Sequence, residues 1–100
     1  MDSYAKTVLL LDDEPRIRRL LHVTLKSHGY RPLEAATGRE GIEVNRARSP
    51  SLVILDLGLP DMDGLDVLAQ LRRESAVPVV VLSVRDAEKE KVAAFDRGAD

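Results

Sequence analysis

Val8-Leu9-Leu10-Leu11-Asp12-Asp13-Glu14 is an unbroken apolar run that ends on acids, and Leu52-Val53-Ile54-Leu55-Asp56 repeats the arrangement further along the chain. Runs that are apolar at every position, rather than at alternate ones, belong to strands buried on both faces, the condition of a parallel sheet flanked by helices. Ligands of such sheets sit beyond the carboxyl ends of the strands. As parallel neighbours, the two runs gather Asp12, Asp13 and Asp56 at one edge. Carboxylates about 5 Å apart repel by roughly 3 kcal/mol per pair at an effective dielectric of about 20, so the cup they form needs neutralising. A hard divalent cation does this, and Mg2+ is favoured where carboxylates share the ion with water and a phosphate.

The rest of the chain alternates in the same manner. The first strand is expected over Thr7 to Leu11. Pro15 then takes the place a helix's first turn tolerates, and Ile17, Leu20, Leu21 and Leu25 recur at helical spacing until Gly29. Tyr30 to Ala35 reads as a second strand, assigned to a sheet edge because Pro32 cannot donate to a ladder. Thr37 and Glu40 stand at capping-box spacing before a helix running to about Arg48, which Ser49-Pro50 ends. Its apolar positions Ile42, Val44 and Ala47 do not form one stripe. The second run, Leu52 to Leu55, delivers Asp56 into the loop Leu57-Gly58-Leu59-Pro60-Asp61-Met62-Asp63-Gly64, and Leu65, Leu68 and Leu71 mark a third helix. Val77 to Ser83 is a fourth strand, followed by a helix from Asp86 to Arg97 closed by Gly98. Successive βα units with right-handed crossovers predict a doubly wound α/β sheet with Asp12, Asp13, Asp56 and Ser83 at carboxyl ends.

Composition narrows the function. A chain of 100 residues holds one domain, and 44% hydrophobic with 32% charged residues is ordinary globular composition. A net charge of −2 gives no electrostatic footprint for sequence-independent nucleic-acid binding. With no cysteine, neither a disulfide framework nor a thiolate metal site exists, in keeping with a reducing compartment. The longest apolar stretch, Val77 to Leu82, is far short of a membrane span, and Met1 to Lys6 is no signal peptide, so the expected location is cytoplasmic.

A carboxylate held beside a cation is a competent nucleophile toward phosphorus. Asp56 stands alone at its strand end and is the expected nucleophile, while the adjacent Asp12 and Asp13 grip the metal. The Gly58 carbonyl adds a ligand if the loop curls back, and the Ser83 hydroxyl donates to a phosphoryl oxygen. Asp61 and Asp63 read as turn and capping residues of the third helix. Arg16, Arg18 and Arg19 read as a solvated helix face, and His22 and His28 as surface residues without a partner carboxylate.

Asp12-Asp13-Glu14 after the first strand, Asp56 with the loop to Gly64, and Val79-Val80-Val81-Leu82-Ser83 together resemble the receiver domain of two-component response regulators. The resemblance runs over essentially the whole chain and is closest to the winged-helix transcriptional regulators of the OmpR/PhoB type. Leu55 to Asp61 and Ser75-Ala76-Val77-Pro78 are similar to their potassium-responsive members. It implies a flavodoxin-like (CheY-like) fold of strand order 2-1-3-4. Asp56 would take its phosphoryl group from a sensor histidine kinase, with Mg2+ held by Asp12, Asp13, Asp56 and the Gly58 carbonyl and Ser83 swinging inward as switch hydroxyl. It implies a signalling phosphoacceptor, not an enzyme acting on other molecules, that controls transcription through an output domain outside this chain. Val84 stands where receivers usually carry a small residue, and slower dephosphorylation is the expectation. Against the family pattern, residues 1 to 100 form a C-terminally incomplete receiver that stops before the fifth strand, its lysine and the fifth helix. The strand-four edge or sheet face so left bare predicts self-association.

Two rival classes remain. Asp61-Met62-Asp63-Gly64 superficially resembles the nucleophile motif of haloacid-dehalogenase phosphatases, although Gly58, Leu59 and Pro60 separate it from the strand end. A phosphorylation-independent interaction module is the other rival, prompted by the absence of the family lysine.

Overall fold

A computed structural model describes residues 5 to 82. Ser83, Val84, the expected helix from Asp86 to Arg97 and Gly98 lie outside the described residues. Strands β1 (Thr7–Leu11), β2 (Arg31–Ala35), β3 (Leu52–Asp56) and β4 (Val79–Leu82) alternate with helices α1 (Pro15–Ser27), α2 (Gly38–Arg48) and α3 (Gly64–Glu74). All pairings are parallel and the order is β2-β1-β3-β4, the doubly wound arrangement expected from the sequence. From β1 the chain steps out to β2, then crosses back to β3 on the other side of β1. Connections therefore diverge between β1 and β3, which opens a crevice at their carboxyl ends. Pro32 lies in β2, at the sheet edge, where its missing N–H costs no ladder bond.

Register assigns every strand residue to a face. Leu9 pairs with Val53 and Leu11 with Leu55, and Val53 in turn pairs with Val79. These side chains are wholly buried and form one core with Ile42 of α2 and Val67, Leu68 and Leu71 of α3. Val8 and Leu10 are buried on the opposite face, the one that also presents Glu34 toward α1. Burying large aliphatic side chains at about 25 cal/mol per Å2 is what holds the layers together.

The structure departs from the sequence reading in several elements, and two strands begin later than expected, β2 at Arg31 and β4 at Val79. β3 includes Asp56 as its last residue, rather than releasing it into the loop. α2 does carry a buried stripe, but it is made of Gly38, Gly41, Ile42 and Asn45, at i, i+3, i+4 and i+7. The glycines bring α2 close to its neighbours: a Cβ on Gly41 would lie 2.2 Å from a Leu11 methyl. α3 buries Val67 beside Leu68 and Leu71, whereas Leu65 is only partly covered. No residue of α1 is fully buried, and Ile17 and Leu20 are 43% and 63% exposed, because α1 rests on β1 and β2 with only part of its apolar arc.

Candidate functional site

The acidic cup follows from register. Leu11 and Leu55 are paired across β1 and β3, so the residues one step on, Asp12 and Asp56, emerge side by side from strands about 4.8 Å apart. Asp13 follows at once. Oxygens from Asp12, Asp13 and Asp56 all lie within 4.8 Å of one another. Asp12 is buried, Asp56 half-buried and Asp13 exposed, so the cup opens to solvent on the Asp13 side.

Asp12 is held on several sides. Its N–H donates to the Ala35 carbonyl at 3.1 Å, its Oδ1 accepts from the Glu14 N–H at 2.8 Å, and its carbonyl accepts from Arg18 Nη1 at 2.7 Å. Burial pushes its carboxyl above the ordinary value of 3.8; the Glu14 N–H opposes this, the charges of Asp56 and Asp13 add to it, and Arg18 opposes it. The carboxylate is therefore short of positive charge. Its neighbours supply only hard oxygen donors, the set that suits Mg2+.

Asp56 Oδ1 accepts from the Gly58 N–H at 3.2 Å, so the loop curls back over its own strand end and keeps Gly58 beside the cup. Leu57 and Leu59 are buried and anchor this loop in the core. Its far end is fixed by backbone contact, with the Gly64 N–H donating to the Leu57 carbonyl at 3.1 Å. A Cβ on Gly64 would sit 2.4 Å from Leu57 Cα, so only glycine admits this approach. Ser83, expected as the switch hydroxyl, lies outside the described residues.

Other acids take different posts. Asp63 caps α3, accepting from the Leu65 N–H at 2.9 Å. Asp61, expected to serve the same helix, instead accepts from the Gly38 and Arg39 N–H groups at 2.7 and 3.0 Å, joining the β3–α3 loop to the start of α2. Those bonds, that from Arg39 first, hold its carboxyl below the ordinary range. Two residues read as solvated surface are engaged as well. Arg18 Nε donates to Glu34 Oε1 at 2.8 Å, and His22 Nδ1 lies 2.7 Å from Glu34 Oε2, so His22 does have a carboxylate partner. Helical spacing puts Arg18 and His22 four residues apart on one face, which is the signal available in sequence; their partner on β2 is visible only once the strands are placed.

The response regulator receiver domain model matches residues 8–100. The chain belongs to the response regulator receiver family. This receiver is 50% identical over 93 residues to the KDP operon transcriptional regulatory protein KdpE of Escherichia coli K12, and 48% identical over the same length to the transcriptional regulatory protein KdpE of Mycobacterium tuberculosis. Each match covers 93% of this chain and 41% of the relative, so the receiver spans less than half the length of these relatives. Among solved structures, Vibrio cholerae CheY4 superposes with a TM-score of 0.89 at 28% identity, over 95% of this chain and 82% of that one. The BeF3-activated receiver domain of Klebsiella pneumoniae RstA gives 0.89 at 27% identity, over 93% and 80%. The receiver is thus a two-component signalling domain related to KdpE-type transcriptional regulators. No helix among its described residues is long and apolar enough to cross a membrane.

Proposed function

We propose that Asp56 accepts a phosphoryl group from the phosphohistidine of a sensor kinase, with Mg2+ held by Asp12, Asp13, Asp56 and the Gly58 carbonyl. The supporting observation is the meeting of three carboxylates, from two separate strand ends, within 4.8 Å. Bound Mg2+ supplies a positive charge that screens the incoming phosphoryl oxygens. Asp56 offers one carboxylate oxygen in line with the donor's P–N bond. The O–P bond forms as P–N breaks, and the departing imidazole nitrogen keeps the electron pair and takes a proton from solvent. The Gly58 N–H steadies the other oxygen. Ser83 then closes on the phosphoryl oxygens and shifts the segment that follows, a charge event biasing a two-state element. The kinship with KdpE supports a cytoplasmic location, transcriptional output through a DNA-binding region outside residues 1 to 100, and slow self-dephosphorylation as the remaining activity. Residues 1 to 100 are read as a receiver continued by a fifth strand and helix. The alternative to that continuation is a second copy of the chain as partner of the strand-four edge or of the sheet face on which Val80 and Leu82 are exposed.

Against the phosphatase alternative stands the use of the Asp61 carboxylate as acceptor for the Gly38 and Arg39 N–H groups, which ties it to α2 rather than to the acidic cup. Intact mass spectrometry after incubation of the full-length protein with acetyl phosphate and Mg2+ tests the proposal. One phosphoryl adduct is expected on wild type, and none on Asp56→Asn or in chelator. An unlabelled wild type, under conditions that label another receiver, would make the chain a phosphorylation-independent module.

A further inference from the structure

We infer that Arg18, braced by Glu34, is a positioning residue of the acidic site, acting through the Asp12 backbone. This rests on the reading of the cup as a Mg2+ site. The Asp12 carbonyl belongs to the peptide joining Asp12 to Asp13, so whatever fixes that carbonyl fixes the direction in which both side chains leave the chain. Arg18 Nη1 donates to it at 2.7 Å. The guanidinium is itself held by Glu34, whose Oε1 accepts from its Nε at 2.8 Å; the second Glu34 oxygen lies 2.7 Å from His22 Nδ1 without hydrogen-bond geometry. Arg18 is 20% exposed and its bond to the Asp12 carbonyl is partly buried, whereas Glu34, 36% exposed, braces it from the solvent side.

The fork shape of the guanidinium matters here. Two of its nitrogens serve two partners on different elements, the end of β1 and the middle of β2, at fixed separation. An ammonium cannot span both. Glu34 has a further consequence. A guanidinium beside three carboxylates would otherwise fold into them as a substitute cation, and the Glu34 carboxylate keeps it outside on the carbonyl. Partners of metal ligands typically contribute about ten-fold or more to affinity by orienting those ligands.

Sign separates this role from a purely electrostatic one. A positive charge near a cation site repels the cation, so deleting a guanidinium that acted by charge alone would tighten Mg2+ binding. Deleting a strut loosens it. Isothermal titration of Mg2+ into the full-length protein and its Arg18→Met, Arg18→Lys and Glu34→Gln variants decides the matter, with Arg19→Met as a control on the same helix. We expect Kd to rise about ten-fold in Arg18→Met, to stay raised in Arg18→Lys, to rise by a smaller factor in Glu34→Gln, and to be unchanged in Arg19→Met. A Kd that is unchanged or lower in Arg18→Met, or fully restored by Arg18→Lys, overturns the inference while leaving the site reading intact. Should Arg18→Met fail to fold, the Arg18→Lys result stands in its place, since that variant keeps the charge and loses only the fork; an unchanged Kd there is then the contrary outcome. A wild-type protein that takes up no Mg2+ overturns the site reading, and this inference with it.

Discussion

At Asp12 the balance between fold and function is visible in one side chain. It is buried at the end of β1 and sits beside two further carboxylates, so its ionised form is less favoured in the folded, metal-free protein than in the unfolded chain. A carboxyl whose pKa is higher folded than unfolded binds more protons in the native state, and stability then falls as pH rises from the unfolded value toward the folded one. In this protein that loss begins near 3.8 and is complete above the raised folded value of Asp12. Asp12→Asn removes the penalty and keeps an Oδ1 for the Glu14 N–H. In chelator at neutral pH the variant should melt higher by on the order of a few degrees. The two curves should converge below pH 3.8, where both side chains are neutral. Saturating Mg2+ should erase or reverse the difference, because the cation stabilises only the state that binds it. Thermal melts across pH, with and without Mg2+, give the comparison; a variant that melts lower than wild type in chelator at neutral pH would contradict it.

The elements differ in how openly the sequence declares them. β1 and β3 are plain, since apolar runs ending in acids need both faces covered, and their alignment then requires Asp12 and Asp56 to meet. α2 is not, because its buried stripe uses two glycines and an asparagine, which hydrophobic patterning does not register. Asp61 was opaque for a related reason: an aspartate ahead of α3 reads as that helix's cap, and only the packing of α2 beside the loop reveals the Gly38 and Arg39 amides as its partners. Arg18 and Glu34 lie on different elements, so no local spacing joins them. Gly64 is the sharpest case. It looks like an ordinary turn residue, yet it is where α3 begins in backbone contact with the loop that carries Gly58. Because a Cβ there would meet Leu57 Cα and the carbonyls of Leu57 and Asp56, no rotamer change relieves the clash. Gly64→Ala should cost about 2 kcal/mol, within the usual range for overpacking a close contact. It should also weaken Mg2+ binding, since the backbone that must yield is that of the residues flanking the cup. Urea denaturation in chelator and Mg2+ titration measure the two effects; a variant as stable as wild type would mean that the loop has room the geometry denies.

For the molecule as a whole, the two faces of the sheet are unequal. Helices α2 and α3 cover one with a continuous core. On the other, Val80 continues the row that Leu10 and Ile54 begin, Leu82 lies on the same face beside Asp56, and each of the two β4 residues is 41% exposed. α1 lies over that same face, and its Ile17, Leu20 and Val23 are 43%, 63% and 50% exposed. Taking a side chain of this kind from full exposure to full burial gains about 1.5–3 kcal/mol, and roughly half of that remains for each of these half-exposed ones, so several together favour association. Single exposed leucines are unremarkable, but large apolar side chains gathered on one face mark a contact surface. The 100-residue chain should therefore sediment with a concentration-dependent coefficient, and Leu20→Glu together with Val80→Glu should return it to the monomer value. Both substitutions are on exposed side chains outside the acidic cup, so Mg2+ affinity should survive them. Sedimentation velocity over a wide concentration range reads the first outcome and calorimetry the second. A wild-type coefficient that does not change with concentration would show that the face is covered within the chain itself, and the proposal of a second copy would fall.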